Sequence, residues 1–197
     1  KKRIVNNKKC NLRKYDTIRI GTISRLATQK NLPLLLRLTS YLLSDGYHIE
    51  TYIVGSGPLE NELKSLAREM KIDQKVNFLG RTSRIVEYLE TLDLFVLTSK
   101  YEGFGLSLLE AMDAKLPIVA PDISAIPEVL GRDHPGLFQL DSFDSLTDTT
   151  CKLIESSQLQ DSALTLQNSR LDYFTVSRCI ESHENLYNKL KLPLLSE

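Results

Sequence analysis

"DLFVLTS", residues 93–99, is a near-continuous apolar run of strand-forming residues. A strand without polar alternation is covered on both faces, and such strands lie in the middle of a parallel sheet flanked by helices. The neighbouring segments agree. "SRIVEYLETL" (83–92) has helical spacing, and Ser83 is placed to cap it. A helix over 106–115 follows, then a strand "LPIVAP" (116–121), a short helical turn at 126–130 and a last strand "GLFQL" (136–140). Upstream, "TIRIGTI" (17–23), "HIETYIVG" (48–55) and "VNFLG" (76–80) are β-rich and bounded by turn residues. Between them, "NLPLLLRLTSYLLSDG" (31–46) predicts a buried helix with Pro33 in its first turn. "PLENELKSLAREM" (58–70) sets Leu59, Leu63, Leu66, Ala67 and Met70 at helical spacing. From about 142 to 190 the chain is helical, and the final helices, near 175–190, are expected to pack across the sheet. Alternating strands and helices predict an α/β, Rossmann-like doubly wound parallel sheet of about six strands with helices on both faces.

The 197 residues suit one domain, and 42% hydrophobic with 25% charged residues is ordinary for a globular chain. The formal net charge is zero, so nothing argues for nucleic acid as a partner. Residues 1–19 are locally basic, with Lys1, Lys2, Arg3, Lys8, Lys9, Arg13, Lys14 and Arg19 against Asp16. The expectation for 1–16 is a solvated basic linker, with peripheral membrane contact as the sharper alternative. Cys10, Cys151 and Cys179 have no close pairing or metal-ligand spacing, which suits reduced thiols in the cytoplasm. His48, His134 and His183 are scattered and suggest no metal cluster or triad. Tyr and Phe are spread through expected core positions and form no stacking platform. A first residue of Lys suggests a fragment of a longer protein.

In a doubly wound sheet, ligands bind outside the carboxyl ends of the strands. Four loops with glycine or charge follow strands here, and they are expected to converge on that edge. In "VGSGPLE" (54–60), Gly55 and Gly57 sit between a strand and a helix, the arrangement that lets backbone approach a phosphate. The third glycine of a dinucleotide fingerprint is missing and Pro58 follows directly, so NAD or FAD is disfavoured. A tight strand-to-helix turn explains the two glycines equally well. In "SRLATQK" (24–30), Arg25 offers a planar fork and Lys30 a mobile point charge for phosphate. "YEGFGLSLLE" (101–110) brackets Gly103 and Gly105 with Glu102 and Glu110. The glycines place Glu102 in a loop and Glu110 in an early turn of a helix whose free N–H groups favour an anion. Two carboxylates beside an anion site suit hydroxyl recognition. That layout fits a diphosphate carrying polyhydroxylated rings on either side, an NDP-sugar. Solvated glutamates, or a glycosidase-type acid and nucleophile, remain as alternatives.

"GTISRLATQKNLPLLL", "YIVGSGPLENELKSLA", "VNFLGRTSRIVEYLETLDLFVLTSKYEGFGLSLLEAM" and "LPIVAPDISAIPEVLG" together resemble the C-terminal, donor-binding domain of glycosyltransferase family 4. These are retaining NDP-sugar transferases of GT-B fold, and the resemblance covers residues 17–190 in order, leaving 191–197 as a tail. Their Glu-x7-Glu motif corresponds to Glu102 and Glu110. The resemblance implies that Arg25 and Lys30 hold the donor diphosphate and that Glu102 contacts the donor sugar, these three being the catalytic set. It implies that Glu110 binds the ribose, and that Phe104, Gly105 and Leu106, with Gly103 before them, meet sugar and phosphates by their backbone. Gly80 and Arg81 would lie against the base. It implies no metal and no cofactor beyond the donor, and a glycan or lipid-linked acceptor bound by an N-terminal half outside these residues. The isolated domain is then expected to be inactive, and the location to be the cytoplasm, at the inner face of the membrane where the acceptor is lipid-linked. The chain departs from the family at Asn31, Lys115 and Ser124-Ala125, where glycines are usual. A non-catalytic nucleotide-sugar-binding module, a GT-B-like epimerase and a NAD-dependent protein are the alternatives.

Overall fold

A computed structural model describes residues 16–190. The basic lead before Asp16, with Cys10, and the tail at 191–197 lie outside the described residues. The order is β1 (Thr17–Ile23), α1 (Leu32–Ser44), β2 (His48–Val54), α2 (Glu60–Glu69), β3 (Val76–Gly80), α3 (Ile85–Thr91) and β4 (Leu94–Val96). It continues with α4 (Leu106–Asp113), β5 (Ile118–Pro121), α5 (Ile126–Leu130), β6 (Leu137–Phe138), α6 (Phe143–Glu155), α7 (Ser157–Leu171) and α8 (Val176–Leu190). The six strands form one parallel sheet in the order β3-β2-β1-β4-β5-β6. This is the doubly wound architecture expected from the alternation of segments.

The apolar run at 93–99 earns its place. Leu94 and Val96 enter one core with β1, β2, α1, α2 and α6. Phe95 and Leu97 enter a second, with α3, α4 and α5. All four are essentially inaccessible. The strand itself is shorter than expected, although Leu97 N–H still donates to Val119 at 2.9 Å. Similarly, β5 and β6 trim the ranges 116–121 and 136–140, because the parallel ladder ends where neighbouring strands stop pairing.

Three helices close in the same way. At the ends of α1, α2 and α4, Gly46, Lys71 and Lys115 adopt positive φ. The residues after them, Tyr47, Ile72 and Leu116, donate back to Leu42, Ala67 and Ala111. This is the Schellman arrangement, which satisfies helix-end carbonyls. Tyr47, Ile72 and Leu116 are buried, and they turn the chain into the next strand or the short 3-10 turn before it.

Two local expectations are corrected. Ser83 does not cap α3; Arg84 occupies the cap position and its N–H donates to Thr82 Oγ1 at 3.0 Å. The segment near 175–190, expected to pack across the sheet, is α8 and buries no residue, whereas α7 before it packs on α4, α5 and α6. A helical period in α8 therefore marks an amphipathic surface, because period alone does not say whether a partner lies opposite.

Candidate functional site

The strand order reverses between β1 and β4, so a crevice opens outside their carboxyl ends. The loops after those two strands, 24–31 and 97–105, meet there. Thr98 Oγ1 donates to the Lys30 carbonyl at 2.9 Å, Lys100 N–H to Gln29 at 2.8 Å, and Gln29 Nε2 to the Tyr101 carbonyl at 3.0 Å. Lys30 Nζ then reaches Glu102 Oε1 at 2.5 Å. Ser99 Oγ donates to the same oxygen at 2.7 Å, and Oε2 takes part in neither contact. The Glu102 side chain is 8% exposed and Lys30 19%, so the pair is largely withdrawn from water. The two residues stand 72 positions apart and straddle the point of strand-order reversal.

Glu102 is thus not the open loop carboxylate that its sequence position suggests. Arg25 differs: it is exposed, and no hydrogen bond or ion pair holds its side chain among the described residues. An exposed guanidinium in this loop is available to an anion.

The loop after β2 is stitched to its neighbours. Ser24 N–H donates to Val54 at 2.9 Å, Leu26 N–H to Ser56 at 3.1 Å, and Gly55 N–H to Gly80 at 2.8 Å. A Cβ on Gly55 would collide with the Ser24 carbonyl, and one on Gly57 with the Leu26 carbonyl. Loop-to-loop approach therefore explains both glycines by itself. Gly80 has φ of 68° and open space around it, and Arg81 beside it is exposed.

At the far side of the crevice, Gly105 (φ 79°) caps α4, so the free N–H groups of that helix begin at Leu106, whose side chain is exposed. Leu108 N–H is taken by Gly105 itself at 2.8 Å. Gly103 and Phe104 are exposed in the turn before it. Glu110 projects from the second turn of α4; it is exposed, yet desolvation by the surrounding protein raises its carboxyl above the ordinary range. Lys30 and Glu102 thus meet in the loops that follow β1 and β4, with Arg25 in the first of those loops and the start of α4 directly after the second. Gly55, Gly57, Gly80 and Arg81 occupy the adjoining loops of the same edge.

Sequence reasoning missed Gln29 and Thr98, which tie the two loops together, and Ser99, which holds the Glu102 carboxylate within its own loop. Ser99 offered one signal, a hydroxyl at the end of a buried strand three residues before a glutamate. Of the aromatics expected in the core, Phe95, Phe138, Tyr47 and Tyr88 are there, but others are not. Phe104 is 41% exposed and meets Phe174, in the link between α7 and α8, edge on with centroids 5.4 Å apart. Tyr173 is exposed beside them, with Arg170 and Arg178 over its ring at 4.9 Å each.

The family model for glycosyl transferases group 1 matches residues 5–163. The chain is 26% identical to the Escherichia coli O-antigen biosynthesis glycosyltransferase WclY, over 94% of this chain and 52% of that protein. It is also 26% identical to the Staphylococcus aureus poly(ribitol-phosphate) alpha-N-acetylglucosaminyltransferase, over 86% of this chain and 35% of that protein. Among solved structures, S. aureus TarM in complex with Fondaparinux, alpha-GlcNAc-glycerol and UDP aligns with a TM-score of 0.78 at 25% identity. That alignment covers 86% of this chain and 35% of TarM. The chain therefore spans between about a third and a half of the length of these relatives. No helix among the described residues is long and apolar enough to cross a membrane.

Proposed function

The chain belongs to the glycosyl transferases group 1 family, and from that premise we propose that it is the donor-binding domain of a retaining transferase. The longer protein passes a sugar from an NDP-sugar to a glycan or lipid-linked acceptor, in synthesis of a surface polysaccharide or glycolipid on the cytoplasmic side of the membrane. The acceptor is held by a second domain, and this domain alone does not turn over.

One observation carries this reading. Loops from β1 and β4 cross at the strand-order reversal and bring a cation, a buried carboxylate and a helix N-terminus around one crevice. Transfer requires the bond between the anomeric carbon and the diphosphate to break, with the electron pair leaving on the phosphate. Arg25, Lys30 and the free N–H groups at the start of α4 offset that growing charge, a role that needs no metal. Glu102 holds Lys30 in place through Oε1, and its Oε2 accepts a hydroxyl of the donor sugar. Glu110 accepts the ribose hydroxyls. Gly80 and Arg81 border the base, and Phe104 and Leu106 meet the phosphates by their backbone. UDP in the complex of the similar TarM supports a uridine donor as the first to try.

A thermal-shift and calorimetric screen of UDP-, GDP- and ADP-sugars tests the reading. At least one should bind, and Arg25→Ala should weaken it about ten- to a hundredfold, as expected for a charge-assisted contact. Arg25 is the clean variant because Lys30→Ala also strips Glu102 of its partner. Glu110→Gln should weaken binding with the melting temperature unchanged. Equal affinity in Arg25→Ala would remove the diphosphate assignment.

A further inference from the structure

On the nucleotide-sugar reading above, the turn 103–105 presents the N-terminus of α4 to a diphosphate. Its own sequence supplies little stiffness. Gly103 and Gly105 flank Phe104, and a Cβ on Gly103 would meet nothing within 4 Å. Glycines widen the conformations open to a turn. Restraint comes instead from the link between α7 and α8. The Phe104 ring rests edge on against Phe174 at 5.4 Å and 73°. Phe174 packs against the second core, and its N–H donates to Leu171 at 3.0 Å. Arg170, near the end of α7, lies over the Phe174 ring at 5.5 Å and over Tyr173 at 4.9 Å. The same guanidinium donates to the Glu128 carbonyl in α5. A continuous set of contacts runs from α5 and the core through Arg170 and Phe174 to Phe104.

We propose that Phe174 is a positioning residue for donor binding. It acts through Phe104 to hold the 103–105 turn in the conformation that receives the diphosphate. Holding a flexible turn in its bound form removes an ordering cost from binding. An aromatic pair of this geometry is strong enough to change a dissociation constant about three- to tenfold.

UDP is the probe, titrated calorimetrically into the 197-residue chain and its Phe174→Ala and Phe174→Tyr variants. Melting temperatures and hydrogen exchange at the amides of 103–107 are measured without ligand. The expected result is threefold to tenfold weaker UDP binding in Phe174→Ala, faster exchange at 103–107, and both restored in Phe174→Tyr. The Phe104→Ala, Phe174→Ala double variant should bind no more weakly than Phe104→Ala alone. Unchanged exchange in Phe174→Ala overturns the brace, whatever the ligand does. Unchanged affinity in a variant whose exchange has risen also overturns it. So does weakened binding that only follows a general loss of stability and is not rescued by Tyr. If the parent chain fails to bind UDP or any other nucleotide-sugar, the donor-site reading falls, while the exchange data still decide the brace.

Discussion

At the residue scale, the Lys30–Glu102 pair ties the site to the stability of the fold. Removing one member of a withdrawn ion pair leaves the other desolvated without compensation. Glu102→Leu should destabilise the chain by about 3 kcal/mol, the low end for such a loss because Lys30 keeps some solvent contact. Adding Lys30→Met should restore part of that loss, since two apolar side chains leave no charge to desolvate. Urea unfolding of the two single variants and the double variant measures this. A double variant no more stable than Glu102→Leu would show that the pair is not coupled. The loops that carry the candidates were legible at this scale: residue type and place marked Arg25, Lys30, Glu102 and the glycines before α4. The bond from Lys30 to Glu102 was not, because contacts across 72 residues leave no local pattern.

At the element scale, the helix ends carry a measurable strain. Gly46, Lys71 and Lys115 fill equivalent left-handed positions at three Schellman closures, but only the first is glycine. A side chain in that conformation costs about 1–2 kcal/mol, partly offset by the greater entropy glycine loses on folding. Lys71→Gly and Lys115→Gly should therefore each stabilise by about 0.5–1 kcal/mol, read as a higher denaturation midpoint with unchanged slope. A lower midpoint in either variant would mean the lysine side chain contributes more than its backbone costs. Asn31 and Ser124 also have positive φ, so of the four positions where the family resemblance implied glycine, Asn31, Lys115 and Ser124 fall on left-handed backbone and Ala125, with φ −80°, does not. The sequence offered the departures; only the dihedral angles showed what the glycines would have been for. Likewise, the strands and helices were legible from their periods. The ends of β4, β5 and β6 were not, because the neighbouring strands decide where a ladder stops.

At the scale of the whole molecule, His134 joins parts that the sequence left unconnected. It is buried beside β5 and α7, and Nδ1 accepts the Gly136 N–H at 3.1 Å. Burial lowers its pKa to about 4, while the Gln167 amide works weakly in the opposite direction without closing a normal hydrogen bond to Nε2. The ring is therefore neutral in the fold, whereas the unfolded chain takes up its proton near pH 6.5. Above that pH the contribution is fully present. It falls as the pH drops from about 6.5 to 4, because the unfolded state then binds the extra proton, and levels off below the folded value. The loss should total about 3 kcal/mol over that window. Chemical denaturation at stepped pH, compared with His134→Gln, should show a shallower slope in the variant between pH 6.5 and 5. Parallel slopes would rule out this histidine as the cause.

The sequence by itself determined the class of fold and the residue types in the loops that follow β1 and β4. A buried strand needs apolar residues on both faces, and a helix start after glycines offers free N–H groups, so both leave a local imprint. Tertiary structure alone decided the strand order that centres the crevice on β1 and β4, the bond that withdraws Glu102 from water, and the contact of Phe174 with Phe104. Each of these joins residues distant in the chain, and their energies depend on who is opposite, which no run of neighbouring residues records.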